Sequence, residues 1–325
     1  MKDVGLVGTP FSGKSTLFTA LTRAGVHGGQ ANQAVVQVPD PRVETLARME
    51  RSRKTVHAQV RFVDVPGGTS SSQGIAKLRE ADALCLVIRC FGPDADPPAQ
   101  LEEVTTDLLL ADSSVIEPTL ERAQKRSRGT PPEEIEALGA AAEALGNGTL
   151  LRDAGLPGQA RAHLRAVAPL TLKPWIVAAN LEEGTDVPPG LPEGTVGVYA
   201  SIEAETAEMD PEEARALLDE FGVHEPGLES VIAAGYGALD LITFLTTGED
   251  ETRAWEVHRG ATTPEAAGVI HSDLERGFIR AEVVSYEDLV AAGSLHAAKE
   301  RGLVRVEGKD YVVREGDVMH VRFAV

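Results

Sequence analysis

The chain has 325 residues, 42 % of them hydrophobic and 25 % charged, which is typical of a folded globular protein and allows two or three domains. No apolar run approaches the roughly 18 residues of a membrane span, and the first residues show no signal-peptide pattern, so we expect a cytoplasmic protein without a membrane partner. The formal net charge of −19 argues against DNA as a partner, because a negative surface repels phosphate backbones.

The negative charge is unevenly distributed along the chain. Residues 181–230 contain fourteen carboxylates and one arginine, whereas residues 251–325 contain thirteen acidic and ten basic residues. Any contact with RNA is therefore expected in the C-terminal part rather than in the acidic part, although a charged run is usually just a solvated surface.

A phosphate-binding loop is predicted near the N-terminus, where residues 8–16 read GTPFSGKST and match the pattern G-x-x-x-x-G-K-S. The apolar run 4–7 before it is typical of a buried strand, and Leu17 and Leu21 follow it at helical spacing. In such a loop the glycines let backbone N–H groups approach phosphates, Lys14 reaches the outer phosphates, and Ser15 offers a hydroxyl to Mg²⁺. The alternative is a chance glycine-rich turn.

Residues 26–36 come next and form a short polar segment. A nucleotide-dependent switch protein carries its first switch loop here, but no threonine occurs between the loop helix and Val43. The prolines in Val38-Pro39-Asp40-Pro41-Arg42 are expected to exclude a helix before the one predicted at residues 43–49.

A second nucleotide-binding motif follows the apolar strand predicted at residues 60–65. Asp64 lies near the end of that strand and begins the sequence D-x-P-G. When it follows a phosphate loop at this distance, this sequence is strong evidence for a second nucleotide-binding motif. Asp64 would hold Mg²⁺ through water, and the N–H group of Gly67 could sense the terminal phosphate.

The next predicted strand, residues 83–90, contains both cysteines of the chain, Cys85 and Cys90. Their odd spacing places them on opposite faces of a strand, which disfavours a mutual disulfide. Two buried structural thiols are the preferred interpretation, with redox sensing as the weaker alternative.

A pair of long helices is predicted after residue 101. Val104, Leu108, Ala111 and Val115 share one helical face, and Pro118 is expected to bend or interrupt that helix. A second apolar stripe runs from Ile135 to Leu145. Two helices joined by a polar turn indicate an antiparallel hairpin inserted into the nucleotide-binding domain.

Two further strands are predicted after the helical hairpin. The strand at 173–179 ends in Asn180-Leu181-Glu182-Glu183, and the strand at 196–200 ends in Ser201-Ile202-Glu203. Because the carboxyl ends of parallel strands face the ligand crevice, Asn180 is well placed to contact a base.

From residue 241 the pattern changes to a small, separate α+β module. A helix is predicted from Thr263, a strand at residues 278–284, and a hairpin from strands 304–306 and 311–313 around residues 307–310. His271 and His320 lie among apolar neighbours there and are interpreted as structural.

Taken together, these motifs resemble the YchF family of Obg-like ATPases, translation-factor-class P-loop proteins, over nearly the whole chain. The resemblance rests on GKSTLFTALT, VPDPRVETLA, FVDVPG, LCLVIRCF and KPWIVAAN, and most strongly on RAWEVHRGATTPEAAGVIHSDLERGFIRAEVVSYEDL with EGKDYVVREGDVMHVRF. It implies an α/β fold: a P-loop G domain with a mainly parallel sheet (1–100 and 167–240), an inserted α-helical hairpin (101–166) and a C-terminal TGS domain of the β-grasp type (241–325). The implied partners are a nucleoside triphosphate and the ribosome or ribosomal RNA, with a monomer favoured.

The resemblance also implies the site. Lys14 and Gly67 are assigned to catalysis, and Ser15 and Asp64 to Mg²⁺. The predicted nucleotide-binding residues are Gly8, Phe11, Ser12, Gly13, Lys14, Ser15, Thr16, Asn180, Leu181, Glu183, Ser201 and Ile202. GTP-specific relatives read guanine with the aspartate of N-K-x-D, whereas Asn180 to Glu183 form the N-x-x-E version that accompanies ATP in this family. ATP binding equal to or tighter than GTP binding is therefore expected.

Four departures from the family pattern concern hydrolysis. Phe11 stands where the family has asparagine, the first switch is reduced to residues 28–33, Gly68 replaces an apolar residue, and residues 92–100 lack the family's histidine. The leading hypothesis is a slow ATPase that acts as a translation-linked switch. The alternative is a non-catalytic adaptor with a structural nucleotide or none, and a metabolic kinase is disfavoured because no acceptor site is evident.

Overall fold

The computed structural model describes residues 1–25, 32–126 and 129–324. Its strands in chain order are β1 (Asp3–Val7), β2 (Gln33–Gln37), β3 (Thr55–Val56), β4 (Gln59–Asp64), β5 (Ala83–Cys90), β6 (Trp175–Leu181), β7 (Val196–Val198), β8 (Leu241–Thr246), β9 (Thr252–His258), β10 (Phe278–Ser285), β11 (Arg305–Glu307) and β12 (Asp317–Phe323).

The helices complete this framework. They are α1 (Lys14–Ala24), α2 (Pro41–Glu50), α3 (Ser72–Glu80), α4 (Pro97–Lys125), α5 (Pro132–Gly146), α6 (Gly158–Leu164), α7 (Ala200–Thr206), α8 (Pro211–Glu220), α9 (Leu228–Ala238), α10 (Thr263–Ile270), α11 (Ser272–Arg276), α12 (Tyr286–Ala292) and α13 (Leu295–Glu300). None of the helices within the described ranges combines the length and the apolar character that crossing a membrane requires.

The first compact unit comprises residues 1–36 and 60–239 and is built on a six-stranded sheet of order β2-β4-β1-β5-β6-β7. The pairs β1–β4, β1–β5, β5–β6 and β6–β7 are all parallel. Residues 83–88 of β5 are fully buried, as expected for a central strand covered on both faces. This arrangement confirms the predicted α/β class and the mainly parallel sheet, and it brings the carboxyl ends of β1, β4 and β6 to one edge.

The predicted helical hairpin consists of α4 and α5, with α6 packed against α5. Pro118 was expected to bend or interrupt the first helix, and it does not interrupt it, since α4 runs without a break from Pro97 to Lys125, a length of 29 residues. A proline inside a helix costs about 3 kcal/mol. Here that cost is outweighed by burial of the helix on both sides of the proline, because Ile116 and Ala123 lie in the apolar core shared with Leu138, Leu145 and Leu164.

The second compact unit comprises residues 37–59 and 240–325. Its mixed sheet has the order β11-β10-β12-β8-β9-β3, with β8 antiparallel to β9 and parallel to β12. Helix α10 contacts β9 and β10 over a core that includes Phe244, Val283 and Met319. The predicted start of this helix at Thr263 is confirmed, and Thr262 and Glu265 form its capping box.

Residues 37–59 group with this second unit, whereas the sequence analysis assigned them to the nucleotide domain. Strand β3 extends the sheet through the pairs Thr55↔Thr252 and Val56↔Arg253. Arg42 contacts Glu315 at 2.5 Å, and the other oxygen of that carboxylate accepts a hydrogen bond from Thr243 N. Pro41 also begins α2 instead of excluding a helix, because the first helical position tolerates proline and Asp40 caps it.

Two other expectations are corrected by the structure. The hairpin predicted at 304–313 does not form: β11 pairs with β10, and Val312 makes an isolated bridge with Thr262. The Tyr311 carbonyl accepts from Thr263 N, which directs this segment toward α10. Strand β7 ends at Val198, so that Ser201 and Ile202 lie in the first turn of α7 and not at a strand end.

The cysteines behave mostly as predicted. Both are free thiols, and Cys85 is buried, but Cys90 is only half-buried near the end of β5. Burial raises the pKa of Cys85 to about 12 and that of Cys90 to about 11. Both side chains therefore remain protonated thiols near neutral pH, which does not favour redox reactivity.

Candidate functional site

A cavity of about 410 Å³ lies at the carboxyl edge of the first unit's sheet. It is lined by residues 8–16 and by residues 67–70, so the structure brings Gly67 together with the whole predicted phosphate loop. Helix α1 begins at Lys14 and presents its first N–H groups at this loop. A helix N-terminus with a glycine loop and a lysine is an arrangement suited to polyanionic phosphate.

Two glycines of the loop are required by close packing. A Cβ atom on Gly8 would lie 2.6 Å from Ser12 Oγ and 2.7 Å from the Val87 carbonyl oxygen. Gly13 has φ of 84°, and a Cβ atom there would lie 1.9 Å from Asn180 Nδ2. Larger residues at either position would push the loop away from the strands that support it.

The side chain of Lys14 extends toward the second loop. A Cβ atom built on Gly68 would lie 3.7 Å from Lys14 Nζ, and both Gly67 and Gly68 have positive φ angles. The ammonium group is therefore close to the backbone predicted to sense the terminal phosphate. Of the other loop residues, Ser15 is exposed, Thr16 is half-buried and Ser12 is buried.

Phe11 is an exposed loop residue that adopts an unfavourable backbone conformation. Its side chain is 87 % exposed, and its φ of 65° lies in the left-handed region. This conformation costs an L-residue about 1–2 kcal/mol. Nearly full exposure means that no packing of the ring offsets the cost.

The strain at Phe11 can be measured by substitution. Phe11→Gly should be more stable to urea than Phe11→Ala by about 1 kcal/mol, because glycine adopts a positive φ without a Cβ clash. The alanine variant is the matched control, since it removes the same ring and keeps the backbone restriction. Equal urea midpoints for the two variants would contradict a left-handed Phe11.

Asp64 lies at the end of β4, as predicted for the second motif. Its Oδ1 atom is buried and has no hydrogen-bond partner among the described residues, which is consistent with a metal ion or its water as partner. The residue lines a separate cavity of about 690 Å³ together with Val63, Val65 and Pro66 and does not line the cavity of Ser15. Hydroxyl and carboxylate oxygens are nevertheless a donor set that suits Mg²⁺.

The other predicted nucleotide-binding residues do not line the phosphate cavity; they are Asn180, Leu181, Glu183, Ser201 and Ile202. Asn180 is buried, donating from Nδ2 to the Ser12 carbonyl oxygen at 3.1 Å and accepting at Oδ1 from Ala200 N at 3.2 Å. Leu181 is buried and Glu183 is half-buried. Ser201 is exposed, whereas the Ile202 side chain packs in a small core with Leu218 and Val223, so that only its backbone is available to a ligand.

Two polar contacts of this region were not predicted from the sequence. Thr69 lines the phosphate cavity, and its hydroxyl donates to Asp107 on α4 at 2.7 Å. Glu203 is buried and accepts three backbone N–H groups. The sequence carries no signal for either contact, because the partners lie between 4 and 38 residues apart and follow no motif. The shortened first switch lies mostly outside the described residues, since 28–31 are not described.

Comparisons with known proteins cover nearly the whole chain. The family described as 50S ribosome-binding GTPase matches residues 3–120, and the YchF-type GTPase C-terminal family, described as a protein of unknown function (DUF933), matches residues 241–324. A relative from Haemophilus influenzae, named ribosome-binding ATPase YchF, is 41 % identical over 358 aligned residues that cover 99 % of each chain. The relative of the same name from Bacillus subtilis is 37 % identical with the same coverage.

The fold comparison agrees with the sequence comparison. The solved YchF GTPase of Schizosaccharomyces pombe is similar with a TM-score of 0.88 and 27 % identity, covering 99 % of this chain and 97 % of that one. The alignment with the Haemophilus relative is longer than the 325 residues of this chain. The relative therefore has residues that this chain lacks.

Proposed function

The chain belongs to the YchF family, and on this basis we propose that it is an ATP-binding P-loop protein that hydrolyses its nucleotide slowly and acts as a ribosome-associated switch. The bacterial relatives are named ribosome-binding ATPases. With the ribosome as partner, the protein would act in the cytoplasm, as a monomer. The C-terminal unit would serve as a TGS-type β-grasp domain, which is supported by its mixed sheet with α10 packed against β9 and β10.

The observation that carries this proposal is the shared cavity of the two nucleotide motifs. Backbone N–H groups of residues 8–13 and the ammonium of Lys14 would hold the phosphates, and Gly67 lines the same cavity. Ser15 and Asp64 are the residues that would hold Mg²⁺, which when bound would neutralise part of the phosphate charge. Binding of a nucleoside triphosphate is the function that this geometry supports best.

Slow hydrolysis is supported by the chemistry of the cavity lining. Among the described residues that line it, Lys14 is the only titratable side chain, and no carboxylate, imidazole or glutamine is present. No side chain of the lining is thus positioned to orient or deprotonate a water molecule. Hydrolysis would depend on phosphate charge stabilisation by Lys14 and the loop backbone, which predicts a low rate without a partner.

Preference for ATP is supported by the segment after β6. Guanine recognition usually uses an aspartate that accepts two hydrogen bonds, and Glu183 occupies the corresponding position here. Loss of a charge-assisted hydrogen-bond pair costs about 1.5–3 kcal/mol, or roughly tenfold to a hundredfold in affinity. We therefore expect ATP to bind at least as tightly as GTP.

A direct contact could couple the nucleotide to the helical hairpin. Thr69 is on the wall of the phosphate cavity, and Asp107, which accepts its hydroxyl, lies in the first half of α4. A movement of residues 67–70 on phosphate release would change this hydrogen bond. A change from the triphosphate-bound to the diphosphate-bound state would in this way alter the contact that holds residues 67–70 to α4, the first helix of the hairpin.

The adaptor hypothesis remains as a second candidate because of specific residues. Phe11 departs from the family at the phosphate loop, and Gly68 follows the D-x-P-G motif without a side chain. An adaptor would bind partners through the hairpin and the C-terminal unit, with its nucleotide structural or absent.

An assay of phosphate release from ATP distinguishes the switch hypothesis from the adaptor hypothesis. The switch should release phosphate from ATP above background in the presence of Mg²⁺, and it should co-sediment with ribosomes to different extents with ATP and with ADP. Lack of release together with the same co-sedimentation in both states would contradict the switch and favour the adaptor.

A further inference from the structure

Glu203 is a carboxylate in an environment that normally excludes one. Its side chain lies in the first turn of α7, and the residue is only 4 % exposed. Burial raises its pKa, while hydrogen bonds from Tyr199 N, Gly227 N and Leu228 N act in the opposite direction. A buried carboxylate persists when its oxygens are well satisfied, so these three donors define what Glu203 does.

The three hydrogen bonds join two helix starts. Oε1 accepts from Tyr199 N at 2.9 Å and from Gly227 N at 2.8 Å, and Oε2 accepts from Leu228 N at 2.7 Å. Tyr199 precedes α7, whereas Gly227 and Leu228 begin α9. One carboxylate therefore fixes the start of its own helix to the start of a helix 24 residues further along the chain.

The sequence at the start of α9 explains why the cap comes from elsewhere. Gly227 is the N-cap residue and has no side chain to accept the first N–H groups. A Cβ atom there would lie 1.8 Å from the Gly197 carbonyl oxygen of β7, so serine or aspartate cannot take this position. Glu203 supplies the missing acceptor, and its negative charge suits the positive end of the helix.

The segment held by Glu203 is connected to the phosphate loop at its other end. Ala200 N donates to Asn180 Oδ1, and Asn180 Nδ2 donates to the Ser12 carbonyl oxygen. Ser201 and Ile202, two of the predicted nucleotide-binding residues, lie between Ala200 and Glu203. Their backbone is therefore fixed on one side by Asn180 and on the other by Glu203.

We propose that Glu203 is a positioning residue for the nucleoside part of the bound nucleotide: it holds residues 199–202 in place by capping α9, while the phosphates are bound independently of it. This inference rests on the proposed nucleotide-binding function. Without the carboxylate, the segment that receives the base loses its attachment to α9. The phosphate loop keeps its own support from β1, α1 and Asn180.

The test compares two ligands that differ only in the nucleoside. Calorimetric dissociation constants for Mg²⁺-ATP and for Mg²⁺-tripolyphosphate would be measured on the full chain and on Glu203→Ala. ATP affinity should fall about tenfold, which corresponds to the loss of one well-formed hydrogen bond to a charged group, whereas tripolyphosphate affinity should change less than about twofold. Glu205→Ala is the matched control, since this exposed glutamate lies on the same helix and should leave both constants unchanged.

A second variant covers the case in which Glu203→Ala does not fold. Glu203→Gln keeps one oxygen that can accept from Tyr199 N and Gly227 N but places an amide NH₂ group at Leu228 N. Glu203→Gln should also weaken ATP binding, by a smaller factor than Glu203→Ala, and should leave tripolyphosphate binding nearly unchanged. An equal loss for both ligands, or no loss for either, would overturn the inference while leaving nucleotide binding intact. Failure of the unmodified chain to bind ATP would overturn the proposed function and this inference with it.

Discussion

Replacement of Lys14 by alanine should weaken ATP binding by about tenfold to a hundredfold. The lysine is the only cationic side chain on the wall of the phosphate cavity among the described residues. Its Nζ atom is near Gly68, so that a phosphate between the two loops would contact it. Loss of a hydrogen bond to a charged group costs about 1.5–3 kcal/mol, which gives this range of affinity.

The matched control for this prediction is Lys125→Ala. Lys125 is an exposed lysine at the end of α4 that pairs with Glu121 at 3.5 Å and does not line the cavity. The Lys125→Ala substitution removes the same charge from the chain as Lys14→Ala and should change the ATP dissociation constant by less than about twofold. If the two variants bind ATP equally well, Lys14 does not contact the phosphates and the assignment of the site is wrong.

Replacement of Asp112 by alanine should lower the free energy of unfolding by about 3–5 kcal/mol, the largest stability effect that we expect from one side chain. Asp112 on α4 is fully buried. Its Oδ1 atom accepts from Arg79 and from Leu170 N, both at 2.9 Å. Its Oδ2 atom accepts from the backbone N and the hydroxyl of Thr171, at 2.7 and 2.8 Å.

The alanine variant would leave several donors without their acceptor. The Arg79 side chain is 14 % exposed and would keep only bonds to backbone carbonyl oxygens of Ala111, Val167 and Ala168. An uncompensated buried charge is the costly part of such a loss. The middle of α4 would thus lose its hydrogen bonds both to α3 and to residues 170–171.

Urea unfolding followed by circular dichroism measures this effect. Glu80→Ala serves as the control, since Glu80 forms an exposed pair with Lys77 at 2.9 Å and such pairs contribute about 0–1 kcal/mol. A loss below about 1 kcal/mol for Asp112→Ala would show that the buried network is not what holds α4.

Local motifs allowed much of the site to be predicted from the sequence. The phosphate loop and the D-x-P-G loop are short, and each residue's role depends on its immediate neighbours. The grouping of residues 8–16 with Gly67 around one cavity was therefore predictable. The parallel sheet was predictable because its buried strands are apolar throughout, as in residues 83–88. The positions of Asp64 and Asn180 at strand ends followed from the same pattern.

Contacts between distant segments could not be predicted in this way. Nothing in residues 37–59 indicates that Thr55 pairs with Thr252, because strand pairing depends on register and not on a motif. Asp112 and Glu203 look like ordinary surface residues in the sequence, and only the fold shows that they are buried acceptors. Pro118 was misjudged because burial of the helix on both sides outweighs the local preference.

The most direct test of the account is an equilibrium titration of the purified chain with ATP and with GTP, each with and without Mg²⁺. We predict saturable binding of ATP at an affinity equal to or higher than that of GTP, strengthened by Mg²⁺ through Ser15 and Asp64. GTP binding tighter than ATP binding by tenfold or more would contradict the role assigned to the segment from Asn180 to Glu183. Absence of binding by either nucleotide would contradict the central claim that the cavity between the two loops is a nucleotide site.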